Sequence, residues 1–164
     1  MGREDFIAVF GHIYEKSPWI VEQAWDQGLA STEDSPEGLH RTLVAIVEEA
    51  GPELQIRLLR AHPDLTGKLG VGGVLTVESR SEQAGAGLDQ CTKAEYAEFQ
   101  SLNQSYTQQF GFPFILAVRG RNRQQVLENF RNRIDCDRDD EFAEALRQVH
   151  RIAWLRLQEI ECYN

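Results

Sequence analysis

The chain has 164 residues and a formal net charge of −9, from 26 acidic against 17 basic side chains; its pI lies near 4.9. That length suits one domain with a real core, and the acidic balance argues against a nucleic-acid binder or a membrane-surface binder, either of which needs a basic face. A small-molecule partner is favoured. Cys91, Cys136 and Cys162 stand far apart, with no C-x-x-C pair and no histidine at metal spacing, so they read as free thiols of a reducing compartment. Met1-Gly2-Arg3-Glu4-Asp5-Phe6 lacks the apolar core of a signal peptide, and no apolar run approaches the ~18 residues of a membrane span. The expectation is a cytoplasmic protein.

Phe6, Ile7, Val9, Phe10, Ile13 and Tyr14 recur at helical spacing and predict an opening amphipathic helix. Ser17-Pro18 then offers an N-cap with proline at the first helical position, and Gly28 ends a helix carrying Trp19, Ile20 and Trp25. Ser35-Pro36 repeats the signal for a helix through Leu39, Leu43, Ile46 and Val47, which Gly51 stops before Pro52 opens another through Leu54, Ile56, Leu58 and Leu59. Between Thr66 and Thr76 the periodicity is lost among Gly67, Gly70, Gly72 and Gly73; this is a loop, either a cover over a pocket or a plain surface connection. Thr92 and Glu95 form a capping box for a long helix through Tyr96, Phe99, Leu102, Tyr106 and Phe110, closed by Gly111. Residues 112–118 are continuously apolar, and periodicity alone leaves a buried extended segment and a buried helical turn both open. Asn122 with Gln125 starts the next helix, and Asp137 starts the last, where Phe142, Leu146, Val149, Ile152, Leu157 and Ile160 form a broad apolar stripe. No hairpin dipeptide and no internal repeat is present. The reading is an all-α, bundle-like single compact domain over residues 1–164, with about eight helices.

The chemistry concentrates in His62-Pro63-Asp64-Leu65 and in Ser79-Arg80-Ser81-Glu82-Gln83. Pro63 biases His62 towards an extended backbone, which holds an imidazole, the side chain that titrates near neutrality, on a stiff corner. A histidine that merely caps the preceding helix is the alternative. Glu82 also has two readings. Ser79-x-x-Glu82 is the sequence of a capping box, but a helix that begins at Thr76 places Ser79, Glu82 and Gln83 at i, i+3 and i+4, on one face, as a polar cluster. The small residues Ala84, Gly85, Ala86 and Gly87 after it would let another element approach closely. No phosphate-loop glycine pattern is present, and no ligand set for a metal. His12, His40 and His150 fall within helical patterns and are assigned no role.

Three motifs in this order, His62-Pro63-Asp64-Leu65, the Thr76 to Gln83 block running into Gly87-Leu88-Asp89, and Phe110-Gly111-Phe112-Pro113-Phe114-Ile115, resemble the OHCU decarboxylase family over essentially the whole chain. That family acts on 2-oxo-4-hydroxy-4-carboxy-5-ureidoimidazoline in the degradation of urate to (S)-allantoin. The resemblance implies an all-α, cofactor-independent lyase with His62 as catalytic histidine and Glu82 as its acidic partner. It further implies substrate contacts at Pro63, Ser79 and Gln83, and main-chain contacts along Phe114-Ile115-Leu116-Ala117-Val118. One departure from the family's pattern is Trp154, in the run Ala153-Trp154-Leu155-Arg156-Leu157, where many relatives carry arginine. A homodimer is compatible with all of this. Two other functions stay open at this point: a ureide or amide hydrolase in which His62 and Glu82 activate water, and a non-catalytic helical module that binds purine-like ligands.

Overall fold

The computed structural model describes residues 1–29, 35–66 and 75–161. Those residues form eight α-helices and one 3-10 turn, with no strand among them, so the chain is all-α, as its periodicities require. They divide into two compact units, Met1–Ala61 with Val149–Asn164, and His62–Gln148.

The first unit holds α1 (Arg3–Phe10), α2 (Trp19–Asp26), α3 (Pro36–Glu49), α4 (Pro52–Ala61) and the end of α8 (Arg138–Glu161). In it α1 packs on α2, α2 on α3, and α3 on α4. Ile20, Leu43, Leu58 and Leu59 are fully buried, each worth roughly 1.5–3 kcal/mol relative to exposure. Ser35 caps α3 as its position before Pro36 predicts, its hydroxyl accepting from the Gly38 N–H at 3.1 Å. Ser17 does not behave the same way. Its hydroxyl donates to the Glu15 carbonyl at 2.9 Å, Pro18 stands at the N-cap position, and α2 begins at Trp19.

The opening helix is also shorter than its apolar spacing suggests. It ends at Phe10, and Ile13 closes a tight turn by donating its N–H to the Phe10 carbonyl at 3.0 Å. Lys16, at φ +46°, then turns the chain again. Ile13 and Tyr14 are therefore buried from a non-helical segment. Beneath that segment Glu15 and Arg156 form an ion pair at 2.9 Å, their side chains 1% and 3% exposed.

The second unit begins at His62 and contains α5 (Val77–Gly85), a 3-10 turn (Leu88–Gln90), α6 (Lys93–Phe110), α7 (Arg123–Arg133) and the start of α8. Both capping boxes read from the sequence form reciprocally, Thr92 with Glu95 and Asn122 with Gln125. Gly111 closes α6 at φ +81°, a conformation that costs glycine nothing.

Residues 112–118 then run as a non-helical, wholly buried segment, which settles the two readings of that stretch in favour of the extended one. Its aromatic rings fix it. Phe114 stacks on Phe130 of α7 at 3.9 Å and 8°, and meets Tyr106 of α6 edge-on at 5.4 Å. Most of the glycine-rich loop, 67–74, lies outside the described residues. No helix among the described residues is long and apolar enough to cross a membrane.

Candidate active site

Thr76 decides the role of α5. With φ −60° and ψ 161° it is the N-cap, and its hydroxyl accepts from the Ser79 N–H at 3.2 Å. The cap is thus filled three residues before Ser79, and the competing Ser79-x-x-Glu82 box has no helix start to serve. Ser79, Glu82 and Gln83 share one face within the helix. Ser79 and Gln83 are buried and Glu82 is half-buried, whereas Val77, Arg80 and Ser81 are exposed. The small residues that follow divide: Ala86 is buried and a Cβ at Gly87 would meet the Arg123 side chain at 3.6 Å, as a close approach requires. Ala84 and Gly85 are exposed, and a Cβ at Gly85 would meet nothing within 4 Å, because they lie on the outward side of the last turn.

His62 is buried, at 8% exposure, in the first residue of the second unit. Pro63 and Asp64 are half-buried after it, and burial pushes the Asp64 carboxyl above the usual carboxylate range. Leu65 and Thr66 are buried, Thr66 at φ +58°, a left-handed conformation that is rare for a β-branched residue. Side-chain amides hold this backbone. Gln83 Oε1 accepts from the Thr66 N–H at 3.1 Å and its Nε2 donates to the Asp64 carbonyl at 3.4 Å. From α6, Asn103 Nδ2 donates to the Leu65 carbonyl at 2.8 Å and Gln100 Nε2 to the Thr66 carbonyl at 3.3 Å. The two polar motifs are thereby tied together: Gln83, beside Glu82, bonds to Asp64, two residues from His62.

The third motif hangs from the same helix. One turn beyond Asn103, Tyr106 packs against Phe114. The polar contacts of Phe114-Ile115-Leu116-Ala117-Val118 run to the far helices and to Arg121. Arg133 Nη1 donates to the Ile115 carbonyl at 2.7 Å, the Ala117 N–H donates to Gln148 Oε1 at 3.0 Å, and Arg121 Nε donates to the Ala117 carbonyl at 3.3 Å.

Behind the segment is a buried polar cluster. Arg133 lies over the Phe114 ring, 4.4 Å from its centroid, and pairs with Glu141, which also accepts from the Tyr106 hydroxyl. Burial, with Glu141 beside it, pushes the Tyr106 phenol up.

A cavity of about 790 Å³ opens on the flank of α5, walled by Thr66, Arg80, Gln83, Leu88 and Tyr96 among others. Its size falls in the small-molecule range. Gln83 is the predicted site residue on its wall.

Sequence reading passed over Gln100, Asn103, Arg133 and Glu141. Asn103 carried a signal, being a polar residue at the helical spacing of Phe99, Tyr106 and Phe110 and buried with them. The other histidines divide. His12 is exposed, whereas His150 joins the Tyr14 hydroxyl through Nδ1 and Glu48 through Nε2, both at 2.9 Å. His40 bonds through Nε2 to the His150 carbonyl at 3.0 Å and packs against Trp154 with ring centroids 5.2 Å apart.

The chain as a whole has counterparts among known proteins. The sequence profile described as OHCU decarboxylase matches residues 1–158, and the chain belongs to that family. It is a carboxy-lyase. It is 41% identical over 158 residues to the 2-oxo-4-hydroxy-4-carboxy-5-ureidoimidazoline decarboxylase of Halalkalicoccus jeotgali, over 96% of this chain and 86% of that one. To the protein of the same name from Haloferax volcanii it is 41% identical over 156 residues, covering 95% and 89%. A crystal structure of (S)-allantoin synthase superposes with a TM-score of 0.78 at 32% identity, over 98% of this chain and half of the other.

Proposed function

We propose that this chain decarboxylates 2-oxo-4-hydroxy-4-carboxy-5-ureidoimidazoline to (S)-allantoin in urate breakdown, with His62 and Glu82 doing the acid–base work. The observation that carries the reading is the tie from Gln83 to Asp64 and Thr66, which couples the helix face of Ser79 and Glu82 to the corner of His62.

The substrate carries its own electron sink. Its carboxylate sits on a carbon next to a ring C=N, so when the bond to carbon dioxide breaks, the electron pair flows into the imine and leaves a planar intermediate. The protein has to orient the group that leaves, stabilise the charge that develops, and deliver one proton to one face. His62, oriented by Glu82, delivers that proton or takes the one on the 4-hydroxyl. Ser79, Gln83 and Pro63 hold the ring and ureido groups, with main-chain groups of residues 114–118. Gln83 has capacity for this beyond its two backbone bonds, because an amide offers two hydrogens and two lone pairs. The bonds from Arg133 and Gln148 fix the path of the 114–118 segment.

The same reading has residues 1–164 act as one functional domain, in the cytoplasm and without a cofactor, with a homodimer as the assembly to look for by light scattering. The test of the reaction is stereochemical. Substrate freshly generated from urate is added, and circular dichroism of the product is followed before allantoin racemises. The expected result is an initial large excess of (S)-allantoin, reduced at least ~10²-fold in rate by His62→Ala. Racemic product at the uncatalysed rate would overturn the assignment. Release of ammonia with the carboxylate retained would point to a hydrolase.

A further inference from the structure

We propose that Asn103 and Gln100 are positioning residues for His62, forming with Gln83 a clamp of neutral amides that holds the histidine corner in its reactive geometry. The inference rests on the reading of His62 as the acid–base group. The carbonyls of Asp64, Leu65 and Thr66 are consecutive, and each accepts from a different side-chain amide, Gln83, Asn103 and Gln100 in that order. Gln83 adds the Thr66 N–H. Three consecutive carbonyls held from two helices fix the chain immediately after Pro63, at a place where no helix or sheet ladder exists to do so.

The donors are amides, and that choice has a chemical sense. A lysine or arginine could hold the same carbonyls, but its charge beside the corner would disfavour protonation of His62. An amide holds the backbone and leaves the imidazole's proton affinity to its own partners.

Asn103 also bears a cost that a packing role alone does not explain. It is 5% exposed, and its Oδ1 is buried with no hydrogen bond among the described residues. A leucine would remove the unmatched Oδ1 but would take away the donor of the Leu65 carbonyl. What the amide supplies in exchange for its unmatched oxygen is the bond from its nitrogen to the Leu65 carbonyl.

The experiment compares Asn103→Leu and Gln100→Ala with Gln104→Ala, the last an exposed position on α6. In each full-length variant kcat and KM are measured on fresh substrate, and the His62 Cε1–H resonance is titrated by NMR, a readout independent of turnover. The expected result for Asn103→Leu is a fall in kcat of at least about tenfold with KM little changed, as for a displaced catalytic group, and a shifted, broadened His62 resonance. Gln100→Ala moves both readouts the same way by less, and Gln104→Ala leaves both unchanged. If Asn103→Leu fails to fold, Gln100→Ala decides the matter alone. Wild-type kcat in the folded variants overturns the clamp. If the wild-type protein itself does not accelerate the reaction, the decarboxylase reading falls, and the resonance decides the clamp: movement supports it and an unmoved signal overturns it.

Discussion

Asn103 and Tyr106 stand one turn apart on α6, and each holds a different motif: Asn103 binds the Leu65 carbonyl, and Tyr106 packs edge-on against Phe114. Residues i and i+3 of a helix project to the same side, so one rigid element sets the spacing between the histidine corner and the buried 112–118 segment. The bonds of α6 to the corner are made by its side chains, and the segment is then stiffened from behind by the pair of Arg133 and Glu141.

Glu82→Gln separates the two roles a glutamate in this position could have. Thr76 caps α5, so loss of the Glu82 charge removes no cap. The melting temperature is expected to change little while turnover falls sharply. A clear drop in melting temperature with turnover preserved would return Glu82 to a helix-stabilising role.

The Arg133–Glu141 pair is 9% and 1% exposed in its side chains. Glu141→Ala leaves a guanidinium buried without its counter-charge and is expected to cost about 3–5 kcal/mol in urea unfolding. Replacing both partners by apolar residues of similar volume, Arg133→Met with Glu141→Leu, should recover only part of that loss, because the Ile115 carbonyl and the Tyr106 hydroxyl then lose their partners. The pair Arg131–Glu98 is just as short, at 2.6 Å, but its side chains are 55% and 36% exposed. Glu98→Ala is expected to leave the unfolding midpoint unmoved, because solvent screens what the distance alone suggests.

His40 supplies a pH dependence with a definite sign. Burial lowers its pKa, opposed by the bond to the His150 carbonyl and reinforced by the nearby His150 ring. The unfolded chain then binds more protons than the folded one in the window between the lowered folded value and the unfolded value of ~6.5. The contribution of His40 to stability is therefore present above that value and is lost on acidification towards its folded pKa. Melting temperature measured from pH 7.5 down to 5 should fall less steeply in His40→Gln than in the natural chain. Parallel curves would remove His40 as a source of the slope.

Chelators are expected to leave activity untouched, since the electron sink of the reaction is the imine of the substrate and no step in it calls for a Lewis acid. Activity lost in EDTA and restored by a divalent ion would contradict the mechanism.

The parts of the fold that follow from local chemistry could be read in advance. Thr92 with Glu95, Asn122 with Gln125, and Ser35 before Pro36 each place polar atoms within reach of helix N–H groups a few residues away, so spacing alone specifies them. Ser17-Pro18 carries the same signature and is used otherwise, because the left-handed turn at Lys16 brings the Glu15 carbonyl to the Ser17 hydroxyl. The choice between Thr76 and Ser79 as the start of α5 was undecidable locally, both being competent caps. The helix face that results was legible once either start was assumed. What stayed hidden was non-local. The bonds from Asn103 to Leu65 and from Arg156 to Glu15 join residues far apart in the chain, and no periodicity encodes which partner a buried amide or guanidinium will meet. Trp154 packs at a tilt against His40, a contact between two helices that the periodicity of neither one specifies.

The first unit is discontinuous in the chain, made of Met1–Ala61 and of residues from Val149 onward, while the second is one uninterrupted stretch. Synthesis runs from the N-terminus, so α1 to α4 emerge from the ribosome without the part of α8 that completes their unit. The stretch from His62 to Gln148 is finished earlier than the unit that precedes it in sequence. Folding during translation would then close the centre of the chain first and leave the N-terminal helices waiting with apolar surface exposed. A nascent chain stalled after α4 should for that reason be the species most attractive to chaperones.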